Sequence, residues 1–509
     1  MIAVPDAAAA GPTALSTCKT DSHRDVAIGG AQGCGPDVQV DQDFIGASAF
    51  RSIKIHKGGT LSFPAVTREL DAADIIVGAG GTLQAGTTSN PIGKTDPNIR
   101  ITLKFLGSRP CKSPAHCPGF DKGIEVEPKG SLSLVGWKGV PANSGPGANP
   151  NGISWTRLNA PAAKGSTTLT LADDVSNDWQ ANDWITVATT SYSPFETEFV
   201  QISAVTKLMG GGSQVTLIQP LAHDHFGHLA PTPSQQCMVS GVMTAVACGS
   251  VQGCTSACTS APSLLNFNDP AAQNFGVDER AEVGLITRNI KLTAVIPPSD
   301  SNSLWWGGET KILEKAEQVV MQGVEIEKFG KDQLGSYPIH FHMDGDVGGL
   351  PIVNANSIHH SFNHCITVHS TENLTLQNNV CSRIIGHIFY EEIGDEKNIT
   401  FANNLGLGAM SQWFGIDRTK VPITPAGVPQ DYWEGDNLAN DPANCGTMGG
   451  PACFAYNGLN VPDVDNQTAP THSDCFLPDG NGGLRTAKVL NKFGAKCEKG
   501  QLYEEPASG

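Results

Sequence analysis

Short segments in which apolar and polar residues alternate, joined by glycine turns, recur through the N-terminal third of the chain. This repetition is the feature that most limits the possible fold. The pattern occupies residues 53–63, 75–86 and 124–136, and its first two copies are 22 residues apart. Glycine permits the tight corner that each of these turns needs. Repetition at such a period is typical of a β-solenoid, in which each repeat forms one coil.

Asparagines mark a second repeat further along the chain. Asn356, Asn379 and Asn404 open similar segments at spacings of 23 and 25 residues. Asparagines at equivalent turns can form hydrogen-bonded ladders, and equivalent residues on successive coils lie about 4.8 Å apart. The spacing predicts that His364 lies over His387 and that His369 lies over Glu392.

Ten of the fourteen histidines fall into two windows, residues 223–228 and 340–387. His340 and His342 flank Phe341, so the two-residue period of a strand directs both imidazoles to one face. Imidazole binds metals and titrates near neutral pH, which suits metal binding or proton transfer. A metal-free cluster held by hydrogen bonds is the alternative. His359 and His360 are expected on a solvated turn.

Two carboxylates beside these histidines suggest glycoside hydrolysis, which usually uses one carboxyl group as acid and another as base or nucleophile. Asp346 and Glu392 form the predicted pair, while the histidines share or tune the proton transfer. Elimination, with a histidine or Arg383 removing a proton beside a neutralised uronate, uses the same residues. The predicted catalytic residues are Asp346, Glu392, His342, His369 and His387, and the predicted substrate contacts are Arg383, Asp417 and Arg418.

A divalent cation is predicted at the histidine face. Zinc, copper or manganese would suit imidazoles with one carboxylate, while calcium would prefer Asp344, Asp346, Glu392 and backbone oxygens. No organic cofactor is expected. The predicted metal ligands are His340, His342, His369 and His387, with His225 as a further possibility beside its expected role in fixing a turn.

Composition narrows the class of protein. The chain has 57 glycines, 33 prolines and only 16% charged residues, which favours strands and turns over helices. Its formal net charge of -17 and lack of a basic run argue against a nucleic-acid partner. No stretch is apolar enough to span a bilayer. No signal peptide is recognisable, and we expect that one has been removed from a secreted or cell-surface protein.

Fourteen cysteines, mostly in close pairs, indicate disulfides formed in an oxidising compartment. Zinc binding is the competing interpretation. Cys365 and Cys381 lie within strand patterns and are expected to be buried thiols. The predicted short-range pairs are Cys18–Cys34, Cys111–Cys117, Cys237–Cys248, Cys254–Cys258, Cys445–Cys453 and Cys475–Cys497.

Several long motifs, in order, resemble those of a known family. Residues 50–157 resemble a G8 domain, and the later motifs resemble those of the group formed by cell migration-inducing hyaluronan-binding protein, transmembrane protein 2 (the cell-surface hyaluronidase) and fibrocystin. The motifs that carry the resemblance are residues 70–74, 155–158, 189–192, 221–227, 280–289, 338–342 with 345–346, 366–369, and 386–387 with Glu392. The chain departs from the family in lacking its GG domain and its later β-helix motifs, and in having Ile393 where an acidic residue is typical.

The resemblance implies a mostly β protein in which a G8-type domain packs on a right-handed parallel β-helix. It also implies a secreted, carbohydrate-active protein that depolymerises a uronate-containing, hyaluronan-like polysaccharide, with a non-catalytic glycan-binding or adhesion module as the alternative. The predicted segments are residues 1–44 (N-terminal), 45–165 (G8-like), 166–275 (β-rich connector with a cysteine-rich insertion), 276–435 (β-helix) and 436–509 (disulfide-stapled tail).

Overall fold

The fold was analysed in a computed structural model. It describes residues 11–227 and 280–410, except for residues 32, 113–116, 192–195, 298–299, 301–302, 304, 350 and 395, and it also describes residue 278 and the backbone of two hairpins. Within these residues there is no α-helix, and Leu15–Thr17 and Gly46–Ser48 form short 3-10 helices. No helix of the described part is long and apolar enough to cross a membrane.

The strands fall into five groups along the chain. The first is β1 Thr13–Ala14, β2 Asp25–Ile28, β3 Asp37–Gln39, β4 Phe50–Ile55, β5 Thr60–Phe63, β6 Arg68–Val77, β7 Thr82–Ala85, β8 Ile101–Phe105, β9 Gly123–Val126 and β10 Ser131–Val135. The second is β11 Trp155–Arg157, β12 Thr168–Leu171, β13 Trp184–Val187, β14 Glu198–Lys207 and β15 Ser213–Leu217. The third is a hairpin of β16 Ser234–Val239 and β17 Val242–Ala247.

The fourth group is β18 Glu282–Leu285, β19 Ile290–Ala294, β20 Glu309–Leu313, β21 Gln318–Gln322, β22 Val324–Glu327, β23 Ile339–Asp346, β24 Ile352–Asn354, β25 Ser357–Ser361, β26 Ile366–Glu372, β27 Thr375–Gln377, β28 Val380–Ile385, β29 Phe389–Glu391, β30 Thr400–Ala402 and β31 Leu405–Met410. The fifth is a hairpin of β32 His472–Pro478 and β33 Leu484–Leu490.

A three-faced parallel β-helix forms the body of the protein. Face A is the stack β1, β3, β5, β7, β10, β21, β24, β27 and β30. Face B runs from the first half of β6 through β8, β19, β22, β25, β28 and β31. Face C comprises β2, β4, the second half of β6, β9, β20, β23, β26 and β29. The predicted β-helix is therefore confirmed, and its stack begins with β1, inside the predicted N-terminal segment.

Alternation along each strand directs apolar side chains into the helix. Ile53, Ile75 and Ile124 are fully buried at equivalent positions of face C, and they belong to one continuous core that extends to Ile384. Residues on the opposite side of the same strands face outward. The G8-like repeats and the histidine-rich repeats are thus coils of one stack, with a shared interior rather than two cores.

The predicted asparagine ladder is present at the corner between faces A and B. The Asn379 side chain accepts a hydrogen bond of 3.0 Å from the Asn356 backbone N–H, and Asn404 accepts the equivalent bond of 2.9 Å from Asn379. Because these amides are paired along the axis, the ladder satisfies polar groups that would otherwise be costly to bury.

A six-stranded antiparallel sheet interrupts one coil. Its order is β11-β18-β13-β14-β15-β12. The chain leaves the helix after β10 and returns at β19, whose Ile290 pairs with Ile101 of β8. The sheet uses β11 from the predicted G8-like segment and β18 from the predicted β-helix segment. Its core includes Val380, Leu405 and Leu407, so it packs on the outside of face B.

Fully buried Arg288 marks the point of return. Its guanidinium donates to the carbonyls of Leu285 at 2.7 Å and Ala355 at 2.8 Å, and to the Ser154 hydroxyl at 3.1 Å. Since these groups belong to the sheet, the helix and the connection between them, one side chain links all three. The 280–289 motif, which includes Arg288, therefore has a structural role.

The structure contains three disulfides among the described cysteines. Cys18–Cys34 and Cys111–Cys117 confirm two of the predicted short-range pairs. Cys365 and Cys381 also form a disulfide, so the prediction that they are buried thiols was wrong. They lie on successive coils that the parallel stacking brings together, a contact that strand patterns within one coil do not reveal. The other four predicted pairs lie outside the residues whose side chains are described.

Candidate active site on face C

Three histidines of face C lie on two neighbouring strands. His340 and His342 belong to β23 on either side of the inward-facing Phe341, and His342 is in register with His369 of β26. Ring centroids are 5.0 Å apart for His340 and His342 and 5.2 Å apart for His342 and His369. Each imidazole offers one ligand atom, and these atoms lie within 4.8 Å of one another.

Glu392 completes this group, which we call the histidine–glutamate cluster (His340, His342, His369 and Glu392). One repeat after His369, its Oε2 lies 3.3 Å from His369 Nδ1 and 3.5 Å from His340 Nε2. All three atoms are buried and have no hydrogen-bond partner. Buried polar atoms are rarely left unpaired, so their convergence points to a bound cation or a substrate group.

Hydrogen bonds orient the cluster. His340 Nδ1 donates to the Gly335 carbonyl at 3.0 Å, which leaves Nε2 unprotonated when the ring is neutral. An imidazole held in this way by a backbone carbonyl is typical of metal-ligating histidines. The Tyr337 hydroxyl donates to Glu392 Oε1 at 3.1 Å. Tyr337 therefore fixes one carboxylate oxygen and leaves Oε2 facing the imidazoles.

Electrostatics set the protonation states. Burial lowers the pKa of His340 despite Glu392, and burial followed by the neighbouring His340 lowers the pKa of His342 to about 4. Burial opposes ionisation of Glu392, yet the adjacent imidazole of His340, the imidazole of His369 and the Tyr337 hydroxyl outweigh it and lower its pKa. At neutral pH these shifts favour neutral His340 and His342 beside a carboxylate, the forms that bind a divalent cation.

An aromatic group adjoins the cluster. His364 stacks on Tyr337 at 5.0 Å and lies 4.7 Å from His387, while Tyr390 stacks on His387 at 4.8 Å. The His387 backbone N–H donates to His364 Nδ1 at 2.9 Å, and burial lowers the pKa of His364 to about 3. His364 is thus a neutral, orienting ring. His387 is exposed at the edge of this platform and is absent from the three-histidine ligand set.

Comparisons with known proteins identify both parts of the helix. Residues 25–143 match the family model described as the G8 domain, and residues 305–442 match the one described as the CEMIP beta-helix. The chain carries a G8 domain followed by a CEMIP β-helix. The histidine–glutamate cluster lies in the CEMIP β-helix, and the resemblance seen in the motifs is confirmed.

Relatives share part of this chain. The human protein named cell surface hyaluronidase CEMIP2 is 32% identical over 255 residues, covering 47% of this chain and 15% of its own length. The Danio rerio cell surface hyaluronidase is 37% identical, covering 26% of this chain and 11% of its own length. Mouse fibrocystin-L is 27% identical, covering 69% of this chain and 8% of its own length. The chain therefore spans a small part of the length of these relatives.

Asp346 lies apart from the histidine–glutamate cluster of the CEMIP β-helix. It is exposed, pairs in register with Glu372, and accepts hydrogen bonds from Asn373 and the Gly348 backbone. A bulge between His342 and Gly345 shifts the strand, so counting by two from His342 does not place Asp346 beside Glu392. The predicted pair of carboxylates is not brought together.

The carboxylates suggested for calcium are also separated. Asp344 is buried and accepts a hydrogen bond of 3.2 Å from the Ala316 backbone N–H, whereas Glu392 faces the imidazoles. Only Glu392 of this predicted oxygen set adjoins the histidines, which favours an imidazole-rich site over the calcium alternative.

His225, the further possible metal ligand, and Arg383, a predicted substrate contact, both make contacts within the protein. His225 is buried, with Nε2 2.7 Å from Glu198 and Nδ1 2.8 Å from the Ala188 carbonyl, so neither ring nitrogen is available to a metal. Arg383 lies on face B and donates to the Thr197 carbonyl at 3.0 Å, towards the antiparallel sheet. Asp417 and Arg418 lie outside the described residues.

The predicted location of His359 and His360 also differs from the structure. His359 is buried in β25 on face B, with Nε2 3.5 Å from Glu325, and its Nδ1 is 2.8 Å from Nδ1 of His360. The expectation of a solvated turn for these residues was wrong, because the antiparallel sheet covers this part of the helix through Phe199. Tyr337 and Tyr390 were missed, and their only sequence signal is proximity to the histidine motifs.

Proposed function

We propose that this chain binds an extended, uronate-containing polysaccharide of the hyaluronan type along face C and depolymerises it at the histidine–glutamate cluster. The observation that carries the proposal is the Glu392 carboxyl group, held by Tyr337 beside three imidazoles on face C of the β-helix. Two relatives are named cell surface hyaluronidases, which supports this class of substrate and a secreted or cell-surface location.

Glu392 is the proposed catalytic base or nucleophile, because its lowered pKa keeps it ionised. Hydrolysis requires proton donation to the leaving oxygen, and this falls to a group beside the proposed metal ligands, the His387 imidazole or the Tyr390 hydroxyl. General acid–base groups of this kind contribute about 10²–10⁴-fold each. Elimination is the alternative chemistry: a base takes the C5 proton of the uronate, the C4–O bond breaks, and the leaving oxygen gains a proton.

His340, His342 and His369 are proposed to hold a divalent transition-metal ion beside Glu392. The unpaired buried atoms and the lowered histidine pKa values fit this group. A bound cation would neutralise charge on a uronate and strengthen electrostatic stabilisation in the site. The chain's own residues orient these groups, through Gly335 for His340 and Tyr337 for Glu392.

The decisive test compares two adjacent glutamates. Purified wild-type protein, Glu392→Gln and the exposed Glu391→Gln are incubated with hyaluronan and with polyuronates, and chain length is measured by size-exclusion chromatography. Wild type and Glu391→Gln should shorten the substrate, and Glu392→Gln should lose about 10²–10⁴-fold in rate. Ultraviolet absorbance of an unsaturated uronate separates elimination from hydrolysis.

The second candidate is a non-catalytic glycan-binding module. The absence of Asp346 from the cluster and the similarity to fibrocystin-L, whose name states no enzymatic activity, favour it. Tight binding without any shortening by the wild type, across a pH series and with added divalent cations, would establish this candidate and end the enzyme proposal.

A further inference from the structure

A cavity of about 510 Å³ opens on face C within the G8 domain. Strands β2, β4, β6 and β9 form its floor, and the loop that carries Phe120 forms a wall. The residues that characterise it are Arg51, Lys54, Asp74, Phe120, Glu125 and Glu127. None of them belongs to the histidine–glutamate cluster.

The cavity and the cluster lie on one continuous surface. The register runs from Glu125 of β9 to Lys311 of β20 and then to His340 of β23. Two steps between neighbouring strands, each of about 4.8 Å, therefore separate the edge of the cavity from the first histidine. A single extended ligand can reach both without leaving face C.

Charge in the cavity disfavours an anion. Carboxylates of Asp25, Asp74, Glu125 and Glu127 outnumber the two permanent cations, and Arg51 is paired with Asp25. Burial is the main cause that raises the pKa of Asp74 and Glu125, and nearby acids add to it. Asp25 Oδ1 is buried without a hydrogen-bond partner. Such a site has acceptors to offer to hydroxyl or amide donors and repels a further carboxylate.

The walls also offer apolar surface. Phe120 is half-buried, and the half-buried Ile76 faces outward between Lys54 and Glu125 on the floor. Ligand sites typically combine apolar walls with a few convergent polar groups. A sugar ring has this same character, with C–H faces and hydroxyl edges.

We propose that this cavity is a distal subsite for an uncharged sugar unit, a hexose or N-acetylhexosamine, of the chain whose uronate lies at the histidine–glutamate cluster. The inference rests on the proposed function and adds that the G8 domain helps to select polymers in which charged and uncharged sugars alternate. The two sites would then differ in the charge of the sugar that they bind. The acidic cavity would repel a uronate carboxylate, whereas a cation at the cluster would attract it.

The test measures affinity in the full chain carrying Glu392→Gln, which prevents turnover. Isothermal titration calorimetry compares a hyaluronan octasaccharide, which can occupy both sites, with a disaccharide, which is too short to occupy both. Glu125→Gln removes a charged acceptor, and Ile76→Trp fills the floor of the cavity. Glu125→Gln should weaken octasaccharide binding about tenfold, as expected for loss of a hydrogen bond to a charged group. Ile76→Trp should weaken it towards the disaccharide value, because the larger side chain occupies the cavity. Glu317→Gln, an exposed residue at the corner leading to face A, is the matched control.

Equal octasaccharide affinity in the parent, Glu125→Gln and Ile76→Trp would overturn the subsite and leave the proposed function standing. Failure of the parent to bind either oligosaccharide would overturn both. Calcium alone, if its binding to the parent were lost in Glu125→Gln while octasaccharide affinity were unchanged, would identify a cation site in place of the sugar subsite.

Discussion

The Tyr337 hydroxyl donates to Glu392 Oε1 at 3.1 Å across 55 residues of sequence. Burial and the nearby carboxylate raise the pKa of Tyr337, so the phenol remains a donor throughout the neutral range. The bond holds Oε2 towards His340 and His369, which makes Tyr337 a positioning residue of the proposed site.

Tyr337→Phe should therefore lower kcat on hyaluronan about tenfold and change KM little, because the ring remains while the hydrogen bond of about 1.5–3 kcal/mol is lost. Initial rates of chain shortening across substrate concentrations measure this split. An unchanged kcat, in a variant whose thermal midpoint matches the wild type, would remove Tyr337 from the positioning of Glu392.

Metal content is expected to follow the three-histidine set. Protein purified without a histidine tag should contain about one equivalent of zinc, copper or manganese, because three imidazoles beside one carboxylate suit these ions. His342→Ala and His369→Ala should each lose it, whereas His387→Ala should retain it. Elemental analysis by mass spectrometry measures all four proteins. Stoichiometric absence of metal from the wild type, with activity unaffected by chelators, would leave the histidines as proton carriers or structural groups.

Acid stability should depend on Glu325 of face B. Burial opposes its ionisation, but Lys291, 2.7 Å away, and His359 outweigh this and lower the pKa to about 2. A carboxylate whose pKa is depressed on folding adds stability above its unfolded pKa, and this stability is lost as pH falls towards the folded value. The contribution at neutral pH is on the order of 3 kcal/mol, at about 1.4 kcal/mol per pKa unit.

Glu325→Gln should accordingly be less stable than wild type at pH 7, and the difference should shrink between about pH 4.5 and pH 2. Urea unfolding followed by tryptophan fluorescence at several pH values measures it. The exposed Glu317→Gln serves as the comparison, with the small effect expected of a surface substitution. A destabilisation by Glu325→Gln that stayed constant down to pH 2 would contradict the ion-pair account.

Cys365–Cys381 joins successive coils next to His364, across a sequence separation of 16. Replacing both cysteines with serine should lower the free energy of unfolding by about 3 kcal/mol, because a closed loop of this length restricts the unfolded chain. Chemical denaturation measures the loss, and the shorter Cys111–Cys117 loop should contribute less. Peptide mapping under non-reducing conditions that recovered Cys365 and Cys381 as free thiols would refute the pairing.

Glycine turns and asparagine spacings were sufficient to predict the β-helix, because parallel stacking requires equivalent residues to recur once per coil. The same spacing predicted that His369 lies beside Glu392, and the two-residue period placed His340 and His342 together. The bulge after His342 was not visible in this pattern, and it directs Asp346 away from the cluster. One inserted residue reverses the alternation of inward and outward side chains. Which side of the sheet each later residue of β23 faces therefore depends on where the bulge forms.

Contacts between distant coils and sheets were decided by tertiary structure alone. The two-residue period of a strand indicates which side of the sheet a residue faces. It does not indicate which other part of the protein covers that side. The antiparallel sheet buries His359 and Arg383 on face B. Tyr337, just before β23, meets Glu392, just after β29, only through a contact between coils two repeats apart. Local sequence thus determined the repeating unit and its outward histidines, while packing between units selected which carboxylate meets them.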